Sequence, residues 1–335
     1  VVDLSVGTPV DPTPDVVRGA LVEAADAPGY PQTAGSLALR EALAAWVTRR
    51  TGASGIGIDA VLPVIGTKEL VAWLPTLLGL GSNDVVVFPR LAYPTYEVGA
   101  RLAGARFLAA DSLTAAGPAP VRLIWINSPS NPTGRVLPPE HLRKVVDWAR
   151  ERGAVVVSDE CYLDFGWDAT PTSVLSVCDG DYRGVLSLHS LSKRSNLAGY
   201  RAGFVCGDPE LIAALLAVRK HAGMIVPAPV QAAMIAAFGD EKHVIVQRER
   251  YARRRAILRE ALLAAGFRIE HSEAGLYLWA TRDEDCWSTV GWLAERGILV
   301  APGSFYGPAG AQHVRIALTA TDERIAAAAT RLTAA

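Results

Sequence analysis

Lys68, Lys144, Lys193, Lys220 and Lys242 are the chain's only lysines, so any chemistry at a side-chain amine belongs to one of them. Lys144 sits in the amphipathic run Pro139–Trp148. Lys220 and Lys242 keep similar charged company, and all three read as solvated helix faces. Lys193 differs. It lies in Ser190-Leu191-Ser192-Lys193-Arg194, directly after the apolar run Gly184–His189, with Arg201 further on. A lysine at a strand end, among small hydroxyls and near an arginine, can act as a free amine and form an imine with a carbonyl. Alone, the same string describes a lysine in a surface loop, so the other stretches decide.

Several of those stretches place polar groups at strand ends. The run Ala60–Ile65 reads as a strand, and Gly66-Thr67-Lys68-Glu69 then opens a helix. Strand, glycine and helix N-terminus make an anion site, because free N–H groups and the helix dipole face the ligand. Asp159 ends the strand-like run that starts at Ala154. It is either a cap or a buried counter-ion. The strand Arg122–Ile126 runs into Asn127-Ser128-Pro129-Ser130-Asn131-Pro132-Thr133-Gly134, a loop stiffened by two X-Pro bonds, the type of bond that admits the cis form. Arg315 stands in the apolar strand His313–Leu318, where it is costly unless paired. It is either half of a structural salt bridge or a planar fork for a carboxylate. Gly7, Tyr30 and Tyr93 sit in turns and loops.

The elements that must position these groups alternate between strand and helix, the pattern of an α/β fold. Helices are expected at Asp15–Ala25, from Ser36 as N-cap, at Leu137–Glu151, Pro209–Lys220, Pro229–Ala237, His243–Ala265 and Val290–Arg296, and from Thr321. After Gly266 short strands take over, including Ala274–Trp279 and Ile298–Val300. A chain of 335 residues, half of them hydrophobic, exceeds a typical single domain and can bury a sizeable core. A net charge of −1 offers nothing to nucleic acid or an acidic membrane. Cys161, Cys178, Cys206 and Cys286 show no metal-type spacing and read as reduced thiols of a cytoplasmic protein. No run is long and apolar enough for a membrane span. The chain begins at Val1 without methionine, and an N-terminal arm preceding this numbering is expected.

Ser190-x-Ser192-Lys193 followed by Gly199-x-Arg201 resembles the lysine segment of the fold-type I aminotransferases, pyridoxal 5'-phosphate (PLP) enzymes of the aspartate aminotransferase superfamily. So do Tyr30-x-x-x-x-Gly35-x-x-x-Leu39-Arg40, Asn131-Pro132-Thr133-Gly134 and Asp159-x-x-Tyr162. These motifs fall in the family's order over nearly the whole chain. The resemblance implies a large domain, residues 26–240, with a mostly parallel seven-stranded sheet. Residues 1–25 and 241–335 would form a small α+β domain. It implies PLP on Lys193 as an imine, with this lysine as general base and acid. Asp159 would face the pyridine nitrogen, Asn131 and Tyr162 the phenolic oxygen, and Tyr93 the ring. Gly66, Thr67, Lys68, Ser190, Ser192 and Arg201 would hold the phosphate. Tyr30 would reach the phosphate of a neighbour across a homodimer interface. Gly7, Asn131 and Arg315 would bind substrate, Arg315 taking the α-carboxylate.

The segments Leu62–Leu70, Val157–Tyr162 and Arg315–Asp322 are similar to the actinobacterial N-succinyldiaminopimelate aminotransferases of lysine biosynthesis. That implies N-succinyl-LL-2,6-diaminopimelate as amino donor and 2-oxoglutarate as acceptor. Lys68, Arg90 and Arg194 are unranked options for the donor's outer carboxylates. Other readings stay open. One is a class I/II aminotransferase with an aspartate or aromatic donor. Another is a C–S β-lyase on the same cofactor site. A third, outside enzymes, is the PLP-sensing module of a transcription regulator, which needs a basic winged-helix segment upstream.

Overall fold

The structure is a computed structural model that describes residues 1–334. Its central sheet has seven strands in the order Val61–Val64, Gly203–Gly207, Val185–Ser190, Val155–Asp159, Val121–Asn127, Val85–Phe88 and Arg106–Ala109. Gly203–Gly207 runs antiparallel to its two neighbours, and the other pairings are parallel. Strands such as Val85–Phe88 and Val185–Ser190 are buried along their whole length. Sheets with helices on both faces need such unbroken apolar runs. The strands Val121–Asn127, Val155–Asp159 and Val185–Ser190 lie side by side. Their C-terminal ends therefore bring Asn127, Asp159 and Ser190 to one edge, where ligands of open α/β sheets bind.

The strand Arg106–Ala109 has no counterpart among the expected elements. It is an edge strand, with Arg106, Phe107 and Ala109 exposed, so its sequence lacks the apolar run of its neighbours. The expected strand from Ala274 begins instead at Tyr277. Gly275, at φ 80°, turns the chain there into a conformation no strand residue adopts. The segment around Lys193, expected to be non-helical, closes one helical turn at Leu191–Arg194. The Ser190 hydroxyl caps it, accepting from Ser192 N–H at 3.1 Å.

A second, antiparallel sheet pairs Ala301–Pro302, Val314–Ala317, Tyr277–Thr281 and Arg268–Glu270. Its core includes Tyr251, Leu258, Leu276, Leu278 and Ile316. The N-terminal residues join this sheet to the large one. Val2–Asp3 pairs with Ile298–Leu299, and four successive carbonyls are then used in turn. Leu4 O accepts from Ala317 N–H at 2.8 Å. Ser5 O accepts from Arg315 at 2.6 Å and Val6 O from the Thr319 hydroxyl at 3.0 Å. Gly7 O accepts from the Lys193 ammonium. Downstream, Val17 of the helix Asp15–Glu23 packs into the core of the large sheet. Among the described residues, no helix is long and apolar enough to cross a membrane.

Candidate active site

At the C-terminal edge of the large sheet, beneath residues 6–8, lies a cavity of about 640 Å³. Lys193, Asp159, Tyr162, Asn131, Tyr93, Thr67, Lys68, Ser190, Ser192, Arg201, Gly7 and Arg315 all line it. The loop Asn127–Gly134 sets one wall, and its Ser128–Pro129 and Asn131–Pro132 peptide bonds are both cis. Asn127 braces this loop. Its amide donates to Asp159 O at 2.9 Å, and its Oδ1 accepts from Asn131 N–H at 2.7 Å.

Asp159 is 7 % exposed. One carboxylate oxygen accepts from the Tyr96 hydroxyl at 3.0 Å and the other from Cys161 N–H at 3.3 Å. Burial pushes the Asp159 carboxyl up despite the Cys161 and Tyr96 hydrogen bonds. Among the described residues it has no cationic partner within salt-bridge range. A buried carboxyl facing a cavity without a counter-cation fits a protonated ring nitrogen.

Thr67 opens the helix Thr67–Leu77 with Gly66 as its N-cap at φ 77°. A Cβ at Gly66 would collide with the guanidinium of Arg201, so glycine is what lets that cation lie against the helix N-terminus. Ser190, Ser192 and Thr67 add hydroxyls, and Lys68 stands over the Tyr93 ring at 5.9 Å. Free N–H groups, a guanidinium and hydroxyls around one end of a cavity suit a phosphate. The lysine amine, the unpaired carboxyl and the anion cradle together fit PLP.

Arg315 is buried, yet no carboxylate among the described residues pairs with it, so the salt-bridge alternative fails. It donates to Asn131 Oδ1 at 2.9 Å and to Ser5 O at 2.6 Å, while its Nε has no partner. A buried guanidinium with spare N–H groups at a cavity wall is set for an anionic ligand.

Tyr30 is fully exposed and stands outside its own chain's cavity. Arg194 is removed from the substrate options. Its guanidinium turns away, binding Asp164 at 3.0 Å, Ala237 O at 2.9 Å and Glu241 at 2.8 Å. Arg90 is exposed and does not line the cavity. Lys68 alone of the three lines it. Sequence reasoning missed Tyr277, Tyr96, Asn127 and Thr8. Tyr277 reads as a core aromatic of an apolar strand and Tyr96 as part of the turn after Pro94, and nothing in their spacing marks a site. Asn127 does carry a signal, since it ends a strand four residues before Asn131.

Glu160 points away from the cavity. It accepts from Val174 N–H at 2.7 Å and lies 3.8 Å from His189. Burial pushes its carboxyl up from 4.5 to about 7. The stability this carries is fully present below about pH 4.5 and lost as pH rises through about 7. Glu160→Gln should therefore gain on wild type by roughly 2–3 kcal/mol between pH 5 and pH 8. Urea unfolding at the two pH values measures this, and a constant difference would contradict it.

The family model for aminotransferase class I and II matches residues 1–332. A probable aminotransferase of Mycobacterium tuberculosis is 68% identical over 335 residues, covering 99% of this chain and 80% of that protein. The 4-dedimethylamino-4-oxo-anhydrotetracycline transaminase OxyQ of Streptomyces rimosus is 64% identical, covering 99% and 93%. Among solved structures, a probable N-succinyldiaminopimelate aminotransferase from Thermus thermophilus superposes with a TM-score of 0.90 at 31% identity, covering 99% and 94%. With an amine, a buried carboxyl and an anion cradle meeting in one cavity, and with these likenesses spanning the chain, the protein belongs to the class I and II aminotransferases, enzymes that depend on PLP.

Proposed function

We propose that this aminotransferase moves the amino group of N-succinyl-LL-2,6-diaminopimelate to 2-oxoglutarate in the cavity around Lys193. The observation that carries the reading is Arg315, a buried fork with unused N–H groups and no carboxylate of its own. Both substrates bear an α-carboxylate at the reacting carbon, and Asn131 holds the fork in place for it. The donor's outer carboxylates meet Lys68, the exposed cation at the cavity wall. The likeness to the Thermus protein supports the same donor.

PLP supplies the electron sink when bound. Lys193 would hold it covalently and, as a free amine, would move the proton at the donor's Cα. In this structure its ammonium rests on Gly7 O, another residue of the cavity lining. Asp159 would keep a proton on the cofactor's ring nitrogen. Asn131 and Tyr162 would hold its phenolic oxygen, and Tyr93 would cover its ring. The Gly66-Thr67-Lys68 turn, Ser190, Ser192 and Arg201 would hold its phosphate. Residues 26–240 act as the cofactor domain, and 1–25 with 241–335 as the substrate-side domain. Tyr30, free on its own chain, reaches the phosphate site of a second copy in a homodimer.

A second reading rests on the 64% identical relative, a transaminase of a 4-oxo-anhydrotetracycline. A screen of amino donors and oxo acceptors separates the two. Succinylated diaminopimelate with 2-oxoglutarate should give the highest kcat/KM. Turnover with aspartate, an aromatic amino acid or a polycyclic ketone, and none with the succinylated donor, would overturn the substrate assignment. Arg315→Lys keeps the charge and loses the fork. It should raise KM for donor and 2-oxoglutarate by roughly 10- to 100-fold; steady-state kinetics showing neither change would remove Arg315 from the site.

A further inference from the structure

We propose that Tyr277 is a positioning residue that sets both the carboxylate fork and the phenol of Tyr162. The proposal rests on the reading that Arg315 holds the substrate carboxylate. Trp279 pairs with Arg315 across the antiparallel strands, so Tyr277, two residues along, lies on the same face and diagonal to it. The Arg315 guanidinium crosses that diagonal and lies 4.0 Å from the centre of the Tyr277 ring. The ring supplies one face, while Asn131 Oδ1 and Ser5 O supply two in-plane acceptors. Together they leave the guanidinium little freedom to turn, with its remaining N–H groups directed by the ring plane.

The other end of the same side chain makes a second contact. The Tyr277 hydroxyl lies 2.9 Å from the Tyr162 hydroxyl. Burial acts against ionising Tyr277, but Arg315, Lys193 and the bond from Tyr162 outweigh it and hold this phenol below its usual range. Tyr162, by contrast, is held far above it by burial and by Tyr277 itself. The two phenols are thus joined by one buried hydrogen bond, which either hydroxyl can donate. The Tyr277 hydroxyl also sits directly under Gly7, where a Cβ would overlap it. That close approach explains glycine at position 7, whose carbonyl carries Lys193. Tyr277 therefore touches the supports of three groups at once, namely Arg315, Tyr162 and the Lys193 perch.

Two substitutions separate the functions of ring and hydroxyl. Tyr277→Phe keeps the face under Arg315 and loses the partner of Tyr162. It should lower kcat about tenfold, the scale of a buried hydrogen bond to a working group, while donor KM and the Kd of maleate, a non-reacting dicarboxylate, stay within about twofold of wild type by the same reasoning. Tyr277→Leu loses the face as well and should also weaken maleate about tenfold, the scale of a desolvated cation–π contact. Calorimetry with maleate on the cofactor-loaded enzyme gives the Kd, and Phe restoring what Leu loses is the expected signature. Should the Leu variant not fold, the kcat of the Phe variant decides alone. A Phe variant with wild-type kcat, or a folded Leu variant with wild-type maleate affinity, would overturn the proposal. Arg315→Lys run beside them tells the two failures apart. If it weakens maleate and Tyr277→Leu does not, only the role of Tyr277 falls; if it too binds maleate normally, the carboxylate reading falls.

Discussion

Lys193→Ala should lose amino transfer by roughly 10³-fold or more, because one amine performs both the covalent attachment and the proton movement at Cα. No other lysine can take over. Lys144, Lys220 and Lys242 do not line the cavity. Lys68 lines it from the helix Thr67–Leu77, beside Tyr93 rather than Gly7. The fold should survive the change. The Lys193 side chain is partly exposed, and its hydrogen bond to Gly7 O is one of several that fix the N-terminal segment. A melting temperature near that of wild type, with single-turnover amino transfer reduced to the level of the free cofactor, is the expected result. Turnover close to wild type would mean that the amine is a bystander.

The second large effect concerns Asp159. Asp159→Ala should keep the cofactor attached through Lys193 and lose on the order of 10²- to 10³-fold in kcat, the usual scale for removing one preorganised charge from a buried site. Alanine alone leaves an ambiguity, since Asp159 also accepts from Cys161 N–H and caps the turn that follows. Asp159→Asn resolves it. The amide oxygen keeps that acceptor, while the charge goes and an NH2 group replaces the oxygen that accepts from Tyr96. If the charge matters, Asn falls about as far as Ala. If the cap matters, Asn restores activity. Absorbance of the bound cofactor gives loading, and steady-state kinetics gives kcat.

The parts of the fold that the sequence made legible are those where local chemistry and tertiary environment agree. The unbroken apolar runs of the central strands have one good use, as strands buried on both faces. Ser36 before Leu37–Thr51 caps as its type requires, accepting from Leu39 N–H at 3.2 Å. Lys193, Asp159 and Arg201 stood out because each breaks the pattern around it. The edge strand at Arg106 was hidden because an exposed edge has no apolar periodicity to read. Tyr277 was hidden for the opposite reason. It fits its strand well as a core aromatic, and only the pairing of Trp279 with Arg315, set by contacts distant in sequence, turns its ring toward the fork. Arg194 misled because its neighbour Lys193 faces the cavity. One helical turn sends the arginine the other way, to Asp164 and Glu241.

Borohydride reduction of the PLP-loaded protein, followed by peptide mass mapping, tests the assignment of Lys193 without depending on any choice of substrate. Reduction fixes the cofactor to whichever amine holds it. The expected result is a single pyridoxyl group on the peptide carrying Lys193, absent from Lys193→Ala treated in the same way. A label on Lys68 or another lysine, or none on a protein that still transfers amino groups, would contradict the assignment of this cavity.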